Sequence, residues 1–256
     1  MKTLQNQIAL VFGGSSGIGK ATSERLAREG AQVAIVASGS LAKAQAVAEA
    51  ILAAGGSARA FAADLRDVAA IEALVAQIEA EMGPIEILVN SAGVYYPTQI
   101  GETSEEDFDR MADINLKGTF FAINAVAPLM KARGHGRIVN VASVAGFRGS
   151  PRFPLYSATK AAVIMLTKAL AGDLAPHGVN INAIAPGNTA TPLNEGERTG
   201  ADSQDVMAAK AAATPSKRVY SPPEEMAAAI YFLVNGEVNA MHGATMLLDE
   251  GLSPCT

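Results

Sequence analysis

The sequence predicts an α/β protein: a doubly wound parallel sheet with helices on both faces. Three observations carry the prediction. Short apolar runs rich in Val, Ile and Leu alternate with helical patterns along the chain, the order of elements that builds a parallel sheet from crossovers. The runs are nearly unbroken, as buried parallel strands are. No internal repeat, low-complexity tail or linker divides the 256 residues, so residues 1–256 read as a single domain.

The first strand, Gln7 to Phe12, stops at Gly13-Gly14-Ser15-Ser16-Gly17-Ile18-Gly19, and a helical pattern with Ala21, Leu26 and Ala27 follows, closed by Gly30. Strand, glycine turn and helix is the context in which glycines signify phosphate binding. Gly13 permits the tight turn, Gly17 lets a pyrophosphate approach the backbone, and Gly19 allows close helix packing. The spacing G-x-x-x-G-x-G is a variant of the dinucleotide fingerprint G-x-G-x-x-G. The second strand, Gln32 to Ala37, ends in Ala37-Ser38-Gly39-Ser40. In a dinucleotide fold an acidic residue here would hydrogen-bond the adenosine ribose of NAD. None is present, whereas Ser38 and Ser40 offer hydroxyls and Lys43 lies in the next helix's first turn. The cofactor expected is therefore NADP, with NAD the other candidate; the competing reading is that the serines only cap the helix from Leu41 to about Ala54. A third strand, Ala58 to Ala63, leads to Asp64-Leu65. Asp64 either accepts the adenine amino group or caps the helix containing Ile71, Leu74, Val75 and Ile78.

The fourth strand, Ile85 to Val89, closes in Asn90-Ser91-Ala92-Gly93, a second small turn that lets backbone meet a ligand, with Tyr95 and Tyr96 on its rim. Thr103 or Ser104 caps a long helix that carries Glu105, Glu106 and Asp107 in its first turn and runs to about Lys131. Asn115 falls in its middle, where asparagine is a poor helix former and needs a partner. The fifth strand, Ile138 to Val141, has Ser143 at its end. Val144 to Leu155, with Gly146, Gly149, Pro151 and Pro154, reads as a loop that curls back to a helix from Tyr156 through Leu174. The sixth strand, Val179 to Ala185, runs into Pro186-Gly187-Asn188-Thr189. Ala190 to about Val219 is mixed and Ala-rich, and is expected to form a mobile flap over a pocket. A helix opening at Ser221 and a last strand, Ala244 to Leu248, complete the chain.

Composition narrows the function. No apolar run approaches the roughly 20 residues that a membrane span needs, and Ile8 to Phe12 is too short for a secretory segment. Cys255 is the only cysteine, which excludes an intrachain disulfide and fits a cytoplasmic setting. A net charge of −5 and a pI near 5.3 argue against a nucleic-acid partner. His135, His177 and His242 are too scattered to suggest a metal site.

Tyr156 and Lys160, one helical turn apart, share a face. A free phenol titrates near pH 10, and a neighbouring ammonium favours the phenolate, so the pair suits general acid/base work on a carbonyl or alcohol. Gly13/Gly17/Gly19, Asp64, Asn90-Ser91-Ala92-Gly93, Asn115, Ser143, Tyr156/Lys160 and Pro186-Gly187 fall in an order and spacing that resembles the short-chain dehydrogenase/reductase family over essentially the whole chain. The resemblance implies a Rossmann-like, seven-stranded sheet and hydride transfer between NAD(P) and a small carbonyl or alcohol. It implies a tetrad in which Tyr156 is the acid/base, Lys160 lowers its pKa and holds the nicotinamide ribose, Ser143 bonds the substrate oxygen and Asn115 holds a relay water. The cofactor residues it implies are Gly13, Ser15, Ser16, Gly17, Ile18 and Gly19 in the first turn. Ser38, Ser40, Asp64 and Leu65 serve the next two strand ends. Asn90, Ala92, Gly93, Pro186, Gly187 and Thr189 join Tyr156 and Lys160 around the nicotinamide. A homotetramer or homodimer is implied, its helices Ser104–Lys131 and Tyr156–Leu174 pairing across subunits. Phe12, Ser91, Thr189 and Glu250 depart from the family pattern.

The substrate is less defined. Tyr95, Tyr96, Phe147, Phe153, Leu155 and Leu193 suggest a fairly apolar pocket, and Arg148 and Arg152 either meet an anionic substrate or are solvated. A 3-oxoacyl thioester reductase, a sugar, steroid-like or cyclic alcohol dehydrogenase, a lyase or epimerase, and a non-catalytic nucleotide-binding protein are the alternatives.

Overall fold

The computed structural model describes residues 3–200 and 202–253; Cys255 lies outside the described residues. The strands are β1 (Ile8–Phe12), β2 (Gln32–Ala37), β3 (Ser57–Ala62), β4 (Ile85–Asn90), β5 (Gly136–Val141), β6 (Val179–Pro186) and β7 (Thr245–Leu248). All pair in parallel, in the order β3-β2-β1-β4-β5-β6-β7. The helices are α1 (Gly17–Arg28), α2 (Leu41–Ala53), α3 (Val68–Glu81), α4 (Glu105–Ala112), α5 (Gly118–Arg133), α6 (Ala145–Arg148), α7 (Pro154–Leu174), α8 (Glu195–Thr199), α9 (Ser203–Ala213) and α10 (Pro223–Val234). The doubly wound sheet expected from the sequence is the one that forms.

Two covered faces explain the unbroken apolar strands. Val11 and Ile35 look toward α1, α2 and α10, where they join Leu26, Ile51 and Ile230. Leu10, Phe12 and Val36 look the other way, toward Ile71 of α3, Val126 of α5 and Leu174 of α7. Each Ile or Leu buried in this way contributes about 1.5–3 kcal/mol, and a polar residue at any of these positions would lose water on either face.

β1 pairs with β2 on one side and β4 on the other, so the winding reverses there and a crevice opens at the carboxyl ends of β1 and β4. Gly13 ends β1 at φ +75, and a Cβ on it would come within 2.7 Å of the Ala92 backbone. The two small turns read from the sequence are therefore in contact, and only glycine fits between them.

Three segments differ from the sequence reading. The long helix from Ser104 is interrupted: Ser104 caps α4 by accepting from the Asp107 N–H at 3.1 Å, and a five-residue π turn, Asp113–Lys117, separates α4 from α5. The cause is Asn115. It is fully buried, and its side chain bonds the Val94 backbone twice, Oδ1 accepting from N–H at 2.8 Å and Nδ2 donating to C=O at 3.0 Å. A widened turn lets the amide reach that backbone, and π turns of this kind recur at functional sites. The stretch after Ser143 is not all loop, because α6 forms within it and α7 starts at Pro154. Residues 190–219 are largely helical, with a 3₁₀ turn (Pro192–Asn194), α8 and α9. This excursion leaves and rejoins the body at one place, where Thr189 bridges Ser221. Its exit is fastened by Arg218 and by the hydroxyls of Ser216 and Ser221, all bonded to Glu250, which sits at φ +58.

Asn115→Ala removes a fully buried amide and both of its bonds to the part-buried Val94 N–H and C=O. It is expected to lower unfolding free energy by about 1–3 kcal/mol in urea melts, more than a surface substitution would.

Candidate active site

A cavity of about 890 Å³ occupies the crevice, walled by the carboxyl ends of the central strands and by the 190–219 excursion. One end is built from backbone. Ser15, Ser16, Gly17 and Ile18 line it, and α1 starts there. Ser16 holds the N-cap position in extended backbone without a side-chain cap, and no acidic residue occupies the first turn. The first N–H groups of α1 are thus left for an anion, as a pyrophosphate requires. Gly19 keeps α1 close to the turn, since a Cβ there would overlap the Gly13 carbonyl oxygen. Ser38 and Lys43 line the same end, where β2 finishes in Ala37 without a carboxylate. The residues present fit an NAD(P) dinucleotide.

The other predicted cofactor residues divide. Ala92, Gly93, Pro186, Gly187 and Thr189 line the cavity. Ser40 stands at the N-cap of α2 with no side-chain cap bond and does not line it. Asp64 neither lines the cavity nor caps α3. Its carboxylate is held by the Arg66 backbone N–H at 2.9 Å and by the Arg66 guanidinium, which holds its pKa below the ordinary value, and the N-cap is Asp67, accepting from the Ala70 N–H at 3.2 Å. Leu65 is buried against Gly118. The Asn90 side chain is buried below the cavity, donating to Asn140 Oδ1 at 2.9 Å.

The reacting end is built from side chains. Ser143, just past β5, and Tyr156 and Lys160, on α7, share the cavity wall. Lys160 is buried, and its Nζ donates to the Val141 carbonyl at 2.8 Å and lies 5.7 Å from the centre of the Tyr156 ring. Burial pulls the Lys160 ammonium down to about 8. Burial also pushes the Tyr156 phenol up, and the Ser143 hydroxyl opposes that rise only in part. The lowering of Tyr156 expected from its lysine is therefore not what the site shows: loss of water prevails, and the one opposing influence is Ser143. Tyr95 stacks on Phe153 at 4.2 Å between ring centres and meets the Tyr156 ring edge-on at 4.9 Å. Asn115 does not line the cavity. It sits behind Gly93, where both amide protons are engaged, one by Val94 and one by Thr159 Oγ1 at 3.3 Å.

Of the residues expected at the substrate end, Tyr95, Phe153, Leu193 and Arg148 line the cavity. Tyr96, Phe147, Leu155 and Arg152 do not; the Tyr96 hydroxyl instead donates to the Asp107 carbonyl at 2.7 Å. Sequence reasoning missed Glu197 and Lys210, which join across the excursion at 2.6 Å and line this end together with Asn188. Nothing in their local pattern marks them, because only the α8–α9 turn brings them together.

A dinucleotide cradle beside a converging Ser, Tyr and Lys defines a class, the nicotinamide-dependent oxidoreductases of carbonyls and alcohols. The sequence matches the short chain dehydrogenase family over residues 7–202. It is 39% identical over 249 residues to the short-chain reductase protein NovJ of Streptomyces niveus, covering 96% of this chain and 94% of the relative. It is 38% identical to a 3-oxoacyl-[acyl-carrier-protein] reductase of Synechocystis, covering 98% and 99%. An actinorhodin polyketide ketoreductase variant solved with NADPH superposes with a TM-score of 0.90 at 32% identity, covering 96% of this chain and 97% of that one. The chain belongs to the short-chain dehydrogenase/reductase family, and it is an NAD(P)-dependent oxidoreductase.

The shift of Lys160 makes a stability statement. Between pH 8 and its ordinary 10.5 the unfolded chain holds a proton there that the folded chain does not, so Lys160 adds stability as pH rises through that window. Melting temperatures of the parent and of Lys160→Met are expected to converge, or cross in the parent's favour, from pH 8 upward. Parallel curves would mean that the ammonium is not desolvated.

Proposed function

We propose that the enzyme prefers NADP and interconverts a ketone and a secondary alcohol with Tyr156 as the proton donor and acceptor. The observation that carries the reading is the meeting of Tyr156, Ser143 and the buried Lys160 on one cavity wall, next to a phosphate cradle. Bound nicotinamide supplies or takes the hydride. Ser143 holds the substrate oxygen. In reduction the Tyr156 hydroxyl gives its proton to that oxygen; in oxidation its phenolate takes the proton back. The Lys160 ammonium, charged below about pH 8, favours the phenolate that forms. Asn115 acts as a positioning residue that keeps the Gly93–Val94 turn against Lys160.

NADP preference is supported by the bare end of β2 and by Ser38 and Lys43 beside it: a carboxylate there would repel a 2′-phosphate, and an ammonium attracts one. Residues 190–219 serve as a flap, a role supported by the Thr189–Ser221 bridge where the segment leaves and rejoins the body and by Thr191, which lies 3.1 Å from where a Gly17 Cβ would be. A homotetramer or homodimer is supported by large apolar side chains left open on α4, α5 and α7: Phe108 is 51%, Phe120 40% and Met165 62% exposed. A cytoplasmic setting is supported by the lone cysteine. Among the described residues no helix is long and apolar enough to cross a membrane.

Tyr156→Phe is expected to keep NADPH affinity while turnover of any ketone substrate falls about 10²–10⁴-fold, the usual scale of general acid/base catalysis. Near-normal turnover would remove Tyr156 from its role. Ala37→Asp is expected to raise the NADH/NADPH ratio of kcat/KM by at least about tenfold, since one desolvated like-charge contact exceeds 1.4 kcal/mol. A parent enzyme that already favours NADH would refute the cofactor preference.

A further inference from the structure

We propose that Glu197 and Lys210, paired on the inner face of the 190–219 segment, are specificity-determining residues that select a neutral, hydroxyl-rich ketone or alcohol. The inference rests on the oxidoreductase reading above and names its substrate class.

Four observations support it. Both side chains line the cavity, and only 26% and 24% of their surface is open. Lys210 Nζ donates to Glu197 Oε2 at 2.6 Å, to the Tyr220 hydroxyl at 3.0 Å and to Asn188 Oδ1 at 3.4 Å. The cluster therefore presents donors and acceptors together, and its two formal charges sum to zero. Burial lowers Lys210, yet its bonds to Glu197 and Tyr220 outweigh that and hold it above its ordinary value, so the ammonium stays charged across working pH. The cluster also faces the chemistry: after burial itself, Glu197 is the strongest influence raising the Tyr95 phenol, and the Tyr95 ring touches that of Tyr156.

An acyl chain laid against this wall would strip water from a carboxylate and an ammonium and return nothing, a desolvation loss that apolar contact does not offset. Substrate hydroxyls would replace that water by donating to Glu197, and by accepting from Lys210 in place of its long 3.4 Å bond to Asn188. A free carboxylate or amine on the substrate gains little, because the pair is neutral overall. Sites built to bond hydroxyls reject analogues that lack them far more strongly than apolar pockets reject an extra methylene.

The test compares ketoses (erythrulose, xylulose, fructose) with 2-alkanones of matched size, using purified enzyme and NADPH. Ketoses are expected to lead in kcat/KM by at least about 100-fold, and Glu197→Gln and Lys210→Met each to lower ketose kcat/KM by about 10–100-fold, mainly through KM. NADPH affinity should move less than about threefold, and 2-alkanone kcat/KM should hold or rise, since a wall with one charge fewer costs less to desolvate. Calorimetric titration of a ketose into NADPH-loaded Tyr156→Phe enzyme should show the same loss when Glu197→Gln is added. Preference for 2-alkanones or acyl thioesters would overturn the inference and leave the oxidoreductase reading intact. Equal losses for both substrate types with a lowered melting temperature would also overturn it, marking the pair as merely structural. Turnover confined to keto acids would do the same and direct attention to Arg148 at the cavity wall. No turnover of any carbonyl, with NADPH still bound, would end both readings.

Discussion

A buried ammonium needs an acceptor, and the Val141 carbonyl at the end of β5 accepts from Lys160 at 2.8 Å. That bond fixes α7 relative to the sheet and sets what the site can do. It requires α7 to lie close to the strand ends, and Gly146 permits this: a Cβ there would come within 2.8 Å of the Ala161 nitrogen. Gly93 packs beside it, and a Cβ there would press on Asn115 Oδ1 at 3.3 Å while only touching Lys160 Nζ at 3.6 Å. The same burial moves Tyr156 and Lys160 in opposite directions, the phenol up and the ammonium down, so both are pushed toward their neutral forms. Burial alone thus favours the protonated phenol and the uncharged amine.

The two ends of the cavity use different materials. The dinucleotide end is made of backbone, with N–H groups at the start of α1, a glycine turn and the close pass of Gly13 by Ala92. Side-chain identity matters little there beyond what glycine permits and what Ser38 and Lys43 add. The reacting end is made of side chains held by other side chains: Tyr95 between Phe153 and Tyr156, Glu197 against Lys210, Asn115 behind Gly93. A cradle of backbone therefore adjoins a substrate end set by side-chain packing.

That division explains what could be read from the sequence. The sheet was legible because two buried faces force continuous apolar runs, and the cradle because glycine is the only residue that fits its turn. Ser143, Tyr156 and Lys160 were legible because strand end and helical spacing put them on one wall. Asp64 and Asn90 stand off the cavity wall, because position at a strand end does not say which way a side chain turns: Arg66 takes one, and Asn140 the other. The interruption at Asn115 was half visible, as a polar residue where a helix should be apolar, but its partner at Val94 is a tertiary contact. Glu197 and Lys210 left no local trace, since their meeting depends on how two short helices fold over the crevice.

Glu250 stands in a left-handed backbone conformation that side chains other than glycine adopt at a cost of order 1–3 kcal/mol. Its bonds from Arg218, Ser216 and Ser221 hold its carboxyl down to about 2, so the fastening is complete above its ordinary value of 4.5 and is lost only as pH falls through about 2. Ordinary swings in acidity therefore leave the rear anchor of the 190–219 segment untouched. Dissolved ions are another matter, because the Arg218 end of the anchor is open to solvent. Ionic strength, more than acidity, is the solution variable that reaches this anchor.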